Sequence, residues 1–229
     1  MIVLFIAALC LVAWHCVIVS GTWRYKTTIE IETPEGIKSA YAVRQVSNSA
    51  SNFGPRLFPE GTNPAKVKGY GMVVDLGERG KVFVTKSGYV RGEGYKSQIL
   101  YEVYGGGTSV SGIKHLNEQP IGQKRLLVPT QYPVIIMFKD PSDARTLTPV
   151  LEIEPKQGNR MVAEKFIDRF EELFGKGVRL KSISIELTDE PVTPAISEFL
   201  PSNINGQEVV KWRISKPYGS PYHLVAREF

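Results

Sequence analysis

The stretch TTIEIET, residues 27–33, decides the fold that we expect, because it alternates apolar and polar side chains. Ile29 and Ile31 share one side of an extended chain, and the glutamates between them share the other. This period of two is typical of a β-strand with one buried face. The residues PEG at 34–36 supply turn chemistry before a second strand-like run at 37–46. The pattern therefore predicts a β-hairpin.

Further strands are predicted on the C-terminal side of this hairpin. A second hairpin is expected over 71–86, with a turn at GERG, and the apolar run YPVIIMF at 132–138 is typical of a strand buried on both faces. In residues 178–188 the apolar phase changes, which indicates a β-bulge near Lys181 and Ser182. The remaining predicted strands are residues 97–104, 147–153, 209–214 and 222–226.

One main amphipathic helix is predicted over residues 159–174, NRMVAEKFIDRFEELF. Its apolar residues recur at helical spacing, and Gly175 follows where a left-handed C-cap belongs. We expect this face to cover a sheet, with binding of a partner as the alternative. The predicted fold class is thus α+β and β-rich, a mixed or antiparallel sheet domain with one main helix.

On the N-terminal side, residues 1–20 contain no Lys, Arg, Asp or Glu. This length predicts a single transmembrane helix, so we divide the chain into an uncleaved membrane anchor at 1–21 and a β-rich domain at 22–229. Four residues that follow the apolar run are typical of a membrane interface: Trp23, Arg24, Tyr25 and Lys26. The alternatives are a cleaved secretory signal, with Val19 and Gly21 before the cut, and a lipidated Cys10 or Cys16.

Charge and cysteine content exclude several classes of function. The net charge of +5 comes entirely from residues after the apolar run, and its basic side chains are spread among acidic ones. This distribution suits a membrane lipid partner and does not predict a nucleic-acid partner. Both cysteines lie in the apolar run, so the domain after it has neither a disulfide nor a cysteine nucleophile.

The motifs that carry chemistry in other proteins are incomplete in this chain. The glycines at 105–107 lack the GK[ST] of a phosphate loop, and we see no helix start after them, so they predict a turn. Gly69 and Gly71 lack the third glycine of a dinucleotide site. His115 and His223 are too isolated to form a zinc site or a catalytic triad. We predict no catalytic residue, no metal and no cofactor.

Carboxylates offer the remaining enzymatic alternative. They fall into two groups, each following a predicted strand: Asp140 and Asp143, and then Glu186, Asp189 and Glu190. Such groups could bind a hard cation or perform acid–base chemistry. Because Asp before Pro is ordinary turn chemistry, we favour a structural role for both groups. The long loop at 47–66, with Phe53 and Phe58, is the expected place for a partner contact.

Four stretches of the chain, in order, resemble a family of hypothetical proteobacterial proteins. They are WRYKTTIEIETPEGIKSAYAVRQV from Trp23, GYGMVVDLGERGKVF from Gly69, YPVIIMFKDPSDARTLTPV from Tyr132, and FGKGVRLKSISIELTDEPVTPAISEFLP from Phe174. That family has no established activity, so the resemblance implies a bacterial, membrane-linked protein and provides no catalytic residue.

The sequence therefore predicts a single-pass protein of the bacterial inner membrane with a non-enzymatic binding or scaffold domain. We expect an accessory component that contacts lipid and a protein partner or membrane complex; its oligomeric state is open. The size of the domain favours the periplasmic side, whereas the basic residues after the apolar run favour the cytoplasmic side. The alternative function is an envelope enzyme, a metal-assisted hydrolase that uses the loop carboxylates.

Overall fold

The computed structural model describes residues 18–51, 65–91, 94–201, 210–212 and 222–224, and within them the chain is β-rich, as predicted. Every strand pairing in these residues is antiparallel. The strands are β1 Ile18–Thr33, β2 Gly36–Ser51, β3 Lys66–Lys68, β4 Met72–Asp75, β5 Lys81–Gly88, β6 Arg125–Leu126, β7 Pro133–Phe138, β8 Leu147–Pro149, β9 Leu151–Lys156, β10 Asn159–Asp168, β11 Arg179–Leu187, β12 Val210–Trp212 and β13 Tyr222–Leu224. The helices are α1 Tyr95–Tyr104, α2 Val110–Asn117 and α3 Phe170–Phe174.

The predicted first hairpin is confirmed and is longer than expected. β1 and β2 each have 16 residues, and their register runs without interruption from Ile18 opposite Ser51 to Thr33 opposite Gly36. Gly36 has a φ of 118°, a conformation that side chains other than glycine rarely adopt. The two-residue turn at Pro34 and Glu35 therefore closes the hairpin tightly.

The domain has two larger sheets, and the first hairpin belongs to one of them. The five-stranded sheet has the order β3-β2-β1-β11-β6, and the four-stranded sheet has the order β4-β5-β7-β8. The predicted bulge in β11 is confirmed, because Ser182 lies opposite Glu30 and Leu180 opposite Ile31, which leaves Lys181 as the extra residue. β9 with β10 and β12 with β13 form separate two-stranded hairpins.

The core lies between one face of the five-stranded sheet and the elements packed on that face. Trp23, Tyr25, Ile29 and Ile31 of β1 are all buried there. Near the start of β1, α2 packs on the hairpin, and the Trp23 Nε1–H group donates a hydrogen bond of 2.9 Å to Asn117 Oδ1. α1 packs on β5.

Residues 97–104 are not a strand, which corrects one prediction. They belong to helix α1, whose buried residues Tyr95, Ile99, Leu100 and Tyr104 follow a helical period. The aromatic and β-branched residues favoured a strand. The buried positions, however, are separated by four, one and four residues, which is the spacing of one face of a helix. Tertiary packing against the sheets therefore decided this element.

The helix predicted over 159–174 is also wrong for most of its length. Residues Asn159–Asp168 form strand β10, paired with β9 across a turn in which Gly158 has a φ of 80°. Only Phe170–Phe174 is helical, and within it Phe170 and Phe174 are buried. The helical spacing of the apolar residues was misleading because this segment pairs with β9 as a strand. Phe166, one of those apolar residues, is exposed and covers no sheet.

The predicted anchor overlaps the sheet domain. Residues 18–21 are the start of β1 and not part of a helix, so the predicted boundary after residue 21 falls inside a strand. Residues 1–17 lie outside the described part of the chain, as do residues 52–64 of the predicted long loop. No helix in the described ranges is long and apolar enough to cross a membrane.

Candidate functional site

The alternation of β1 separates the four residues predicted to lie at a membrane interface. Trp23 and Tyr25 point into the core, where the Tyr25 hydroxyl donates to the Lys96 carbonyl at 3.1 Å. Arg24 and Lys26 lie on the opposite face, which we call the outer face. Trp23 and Tyr25 thus have packing roles within the domain, and an interface role for the four residues stays a prediction.

An ion cluster occupies the outer face around Lys26. Its Nζ lies 2.8 Å from Glu186 Oε1 of β11 and 2.5 Å from Glu190 Oε1. The pKa of Lys26 is raised, first by its hydrogen bond to Glu186 and to a smaller extent by its hydrogen bond to Glu190. Arg24 Nη1 donates to the Glu190 carbonyl at 3.1 Å. Two of the carboxylates considered for catalysis, Glu186 and Glu190, are therefore engaged by Lys26.

The chain after β11 crosses the outer face, and we call residues 188–196 the strap. Its Thr188 N–H donates to the Arg24 carbonyl at 3.0 Å, and its Glu190 contacts Lys26. At Thr193 the strap reaches the far side of β2. There the Thr193 N–H donates to the Val43 carbonyl, and the Val43 N–H donates to Thr193 Oγ1, both at 3.2 Å. The strap therefore crosses β1 and β2.

Beyond the strap, residues 37–41 of β2 have no partner strand on the side away from β1 within the described ranges, and we call them the free edge. β3 pairs only with Gln45, Val46 and Ser47, and Thr193 bonds only Val43. On the free edge Ile37 and Tyr41 are 54% and 53% exposed. β4 lies close to β2, yet its ladder is formed with β5. Edge strands with open backbone groups are the places where another strand adds to a sheet.

Of the remaining predicted carboxylates, Asp189 is exposed, whereas Asp140 and Asp143 have local structural roles. Asp140 Oδ1 accepts hydrogen bonds from the Ser142 N–H and hydroxyl groups, which lower the pKa of Asp140. Asp143 forms an ion pair with Arg145 at 2.8 Å. These turn contacts lie after β7, whereas Glu186 and Glu190 face Lys26. In the described ranges, no three His, Cys, Asp or Glu side chains are grouped so that they could hold a metal ion.

The glycine turn at 105–107 is confirmed, with φ values of 80° at Gly105 and 101° at Gly106. A helix nevertheless follows it, contrary to expectation, because Ser109 caps α2 by accepting the Gly112 N–H at 3.1 Å. His115 Nε2 lies 3.0 Å from the Tyr104 carbonyl, which fixes the imidazole to the end of α1. Of His223 the structure describes the backbone alone, in β13.

A buried arginine is the polar feature that the sequence did not reveal. Arg44 is fully buried; its Nε donates to the Tyr70 carbonyl at 2.8 Å and its Nη2 to the Thr85 carbonyl at 3.3 Å. Its Nη1 has no partner within the described part of the chain. Burial raises the pKa of the neighbouring Tyr25, partly opposed by the Arg44 charge. The alternation of β2 could have indicated this burial, because Arg44 lies opposite the inward-facing Tyr25 and therefore shares its face of the sheet.

These features define a class of protein: an antiparallel β-rich domain with a free strand edge beside an ion cluster. No protein-family model, curated protein or solved structure matches this chain. The resemblance to a proteobacterial family stays a prediction.

Proposed function

We propose that this protein is a membrane-anchored, non-enzymatic binding module that acts at the bilayer surface. The observation that carries this proposal is that β1 begins at Ile18, immediately after the uncharged residues 1–17. A helix rises about 1.5 Å per residue, so this run approaches the length needed to cross the hydrocarbon core. With no linker after it, the sheet domain would be held close to the lipid.

The end of the hairpin that holds Ser20 would face the bilayer in this arrangement. Asn117 at the end of α2 donates from Nδ2 to the Ser20 carbonyl at 3.3 Å, so this end of the domain is braced by a helix. Lys114 of α2 and Lys66 of β3 are exposed near it. Lysines in such a position would favour contact with anionic headgroups.

A binding role is supported by the contacts of the polar side chains considered for catalysis. Glu186 and Glu190 both form ion pairs with Lys26, and Asp140 and Asp143 stabilise a turn. The free edge of β2, in contrast, offers backbone groups and exposed apolar side chains to a partner, as in strand addition. We therefore favour an accessory component of a bacterial envelope or membrane complex over the alternative of a metal-assisted hydrolase.

Extraction of membranes with alkaline carbonate tests the anchor in the full chain. The wild-type protein is expected in the membrane pellet. A Leu9→Lys/Val12→Lys variant should move to the supernatant, because each lysine costs about 3 kcal/mol at the centre of a membrane helix. The matched Leu9→Ala/Val12→Ala variant should stay in the pellet. Release of the wild-type chain by carbonate without detergent would refute the anchor.

We further propose that the domain faces the periplasm, and protease protection tests this orientation. Protease added to spheroplasts that contain the full chain should digest residues after the anchor. Digestion only after the inner membrane is permeabilised would place the domain in the cytoplasm and overturn this part of the proposal.

A further inference from the structure

We propose that the free edge of β2, residues 37–41, pairs antiparallel with the same edge of a second copy of this chain. The two five-stranded sheets would then form one continuous sheet across a two-fold axis. This inference rests on the proposed function, since it names the partner of the binding module. The argument depends on the backbone direction, the side-chain register and the limits of the edge.

The backbone groups of the free edge point away from β1. Val43 directs its N–H and C=O to Thr193, on the side opposite β1. Neighbouring residues of a strand direct these groups alternately to the two sides, so Ile37, Ser39 and Tyr41 direct theirs as Val43 does. Within the ranges that the structure describes, these three residues have no hydrogen bond on that side. Their donors and acceptors are therefore unused in the described part of the chain, where β4 lies near this edge without pairing to it.

The side chains of the free edge match their own copies when the pairing is centred on Ser39. Ile37 of each chain then lies opposite Tyr41 of the other, and Ser39 lies opposite Ser39 of the second copy. In this register each of the three pairs exchanges backbone hydrogen bonds. A β-branched residue opposite an aromatic residue is a favourable cross-strand pair. A self-complementary patch of this kind is what a two-fold interface requires.

Charge does not oppose this pairing. The side chains of Ile37, Ser39 and Tyr41 all lie on the outer face and are uncharged. Lys38 projects to the other face, toward Asp75, whose pKa is lowered first by the Gly77 N–H, then by Lys81 and, as the smallest effect, by Lys38. Like charges therefore do not meet directly across the two-fold axis.

The free edge also lacks two of the features that normally protect an edge strand, a proline and a β-bulge. β2 contains no proline, and its register with β1 has no bulge. In the described part of the chain the other edges of the two larger sheets are shorter: β3 has three residues, β4 has four, β6 has two, and β8 has three and ends at Pro149. The free edge ends at the Pro34–Glu35 turn and at Thr193, so its length suits a short antiparallel pair.

The mass of the full chain in mild detergent, corrected for bound detergent, tests the dimer. Twice the 25.5 kDa of one chain is expected at micromolar concentration. Ser39→Pro removes an N–H that points away from β1, so it should spare the hairpin. Loss of the two central hydrogen bonds should raise the dissociation constant at least about tenfold. Ser39→Ala, which keeps the N–H, should leave the dimer intact.

A cross-link provides a second measurement if the proline variant does not fold. Ser39→Cys in a Cys10→Ala/Cys16→Ala chain would place two thiols across the axis. Hydrogen-bonded antiparallel pairs have Cα atoms about 5.5 Å apart, a separation that a disulfide can span. Mild oxidation should therefore give covalent dimers. Lys181→Cys in the same background, exposed on β11, should stay monomeric.

The outcomes separate this inference from the proposed function. A monomer at all concentrations, without the Ser39→Cys cross-link, would overturn the dimer and leave the membrane anchor supported if carbonate fails to release the chain. A dimer whose mass and affinity do not change in Ser39→Pro would overturn the proposed edge. A dimer that is lost in Ser39→Pro, in a chain that carbonate releases, would support the edge and refute the anchor.

Discussion

Arg44 places a permanent charge inside the protein, where it holds the two larger sheets together. Its guanidinium reaches from β2 to the carbonyl of Tyr70 and to Thr85 of β5. Gly69 makes this possible: its φ is +115°, and a Cβ there would lie 2.9 Å from Arg44 Cγ. A buried charge is costly unless hydrogen bonds compensate it, and the two carbonyls offset part of the cost of burying Arg44.

Substitution of Arg44 should separate the effects of packing and charge. Arg44→Ala is expected to lower the free energy of unfolding by about 3–5 kcal/mol, because it leaves a cavity and two unpaired carbonyls. Arg44→Met, which keeps most of the volume without the charge, should cost clearly less. Urea unfolding followed by circular dichroism measures both values. Equal losses in the two variants would mean that the charge, and not the volume, matters.

The environment of residues 23–26 was partly predictable. Trp23 and Tyr25 have the same parity as Ile29 and Ile31, so an uninterrupted strand places all four on one face. The uncharged run before them favoured an interface instead. Whether β1 continued that far depended on its pairing with residues 44–46 of β2, which are remote in sequence.

At the scale of elements, Arg79 joins three parts of the chain. Its Nε and Nη2 donate to the two carboxylate oxygens of Glu35 in the first hairpin turn, at 3.1 and 2.8 Å. Its Nη1 donates to the Phe174 carbonyl at 2.9 Å, at the C-terminal end of α3. The turn between β4 and β5 is therefore connected to both other elements through one side chain.

This contact should appear as a dependence of stability on pH. Hydrogen bonds from Arg79 hold the pKa of Glu35 at about 2, below its ordinary value of 4.5. A carboxylate with a lowered pKa stabilises the fold above pH 4.5 and loses that contribution as the pH falls toward 2. Glu35→Gln should therefore flatten the urea midpoint over this range.

Glu78→Gln, in the same turn as Arg79, is the matched control for that measurement. It removes an exposed carboxylate without touching the Arg79–Glu35 pair. Its midpoint should follow the wild-type dependence on pH. A Glu35→Gln profile that is identical to the wild-type profile would show that the pair contributes nothing.

The hydroxyl of Thr193 should determine how firmly the strap holds β2. Thr193→Val keeps the shape of the side chain but removes the acceptor of the Val43 N–H, at a cost of about 1 kcal/mol. Amide hydrogen exchange should become faster at Val43. Thr193→Ser retains the hydroxyl and should keep the protection. Unchanged exchange in Thr193→Val would contradict a role for the strap at this edge.

Several elements could be predicted from local patterns, and others could not. The hairpins predicted over 27–46 and 71–86, the bulge at Lys181 and the buried strand β7 follow from alternation, turn residues and an apolar run. The structures of α1 and β10 could not be predicted in this way, because each sequence fits both the helical period of 3.6 residues and the strand period of two. Their state depends on neighbours: the sheets that bury Ile99 and Leu100, and the strand that pairs with β10.

At the scale of the whole molecule, the first residues of β1 should contribute to folding. A shortened chain that begins at Ile18 retains every pair between β1 and β2, whereas one that begins at Thr22 loses the pairs opposite residues 48–51. The Thr22 chain also loses the Ser20 carbonyl that accepts from Asn117. We expect its free energy of unfolding to be lower by at least about 1 kcal/mol. Equal urea midpoints would contradict this expectation.

The sequence by itself determined the β-rich class, the first hairpin with its tight turn and the location of the bulge, because alternation and turn chemistry act between neighbouring residues. It also shows an uncharged run next to the domain. Tertiary structure alone decided that β1 starts at Ile18, that Arg44 is buried, and that the strap leaves residues 37–41 of β2 open. These features depend on contacts between segments far apart in the chain, which a local pattern does not specify.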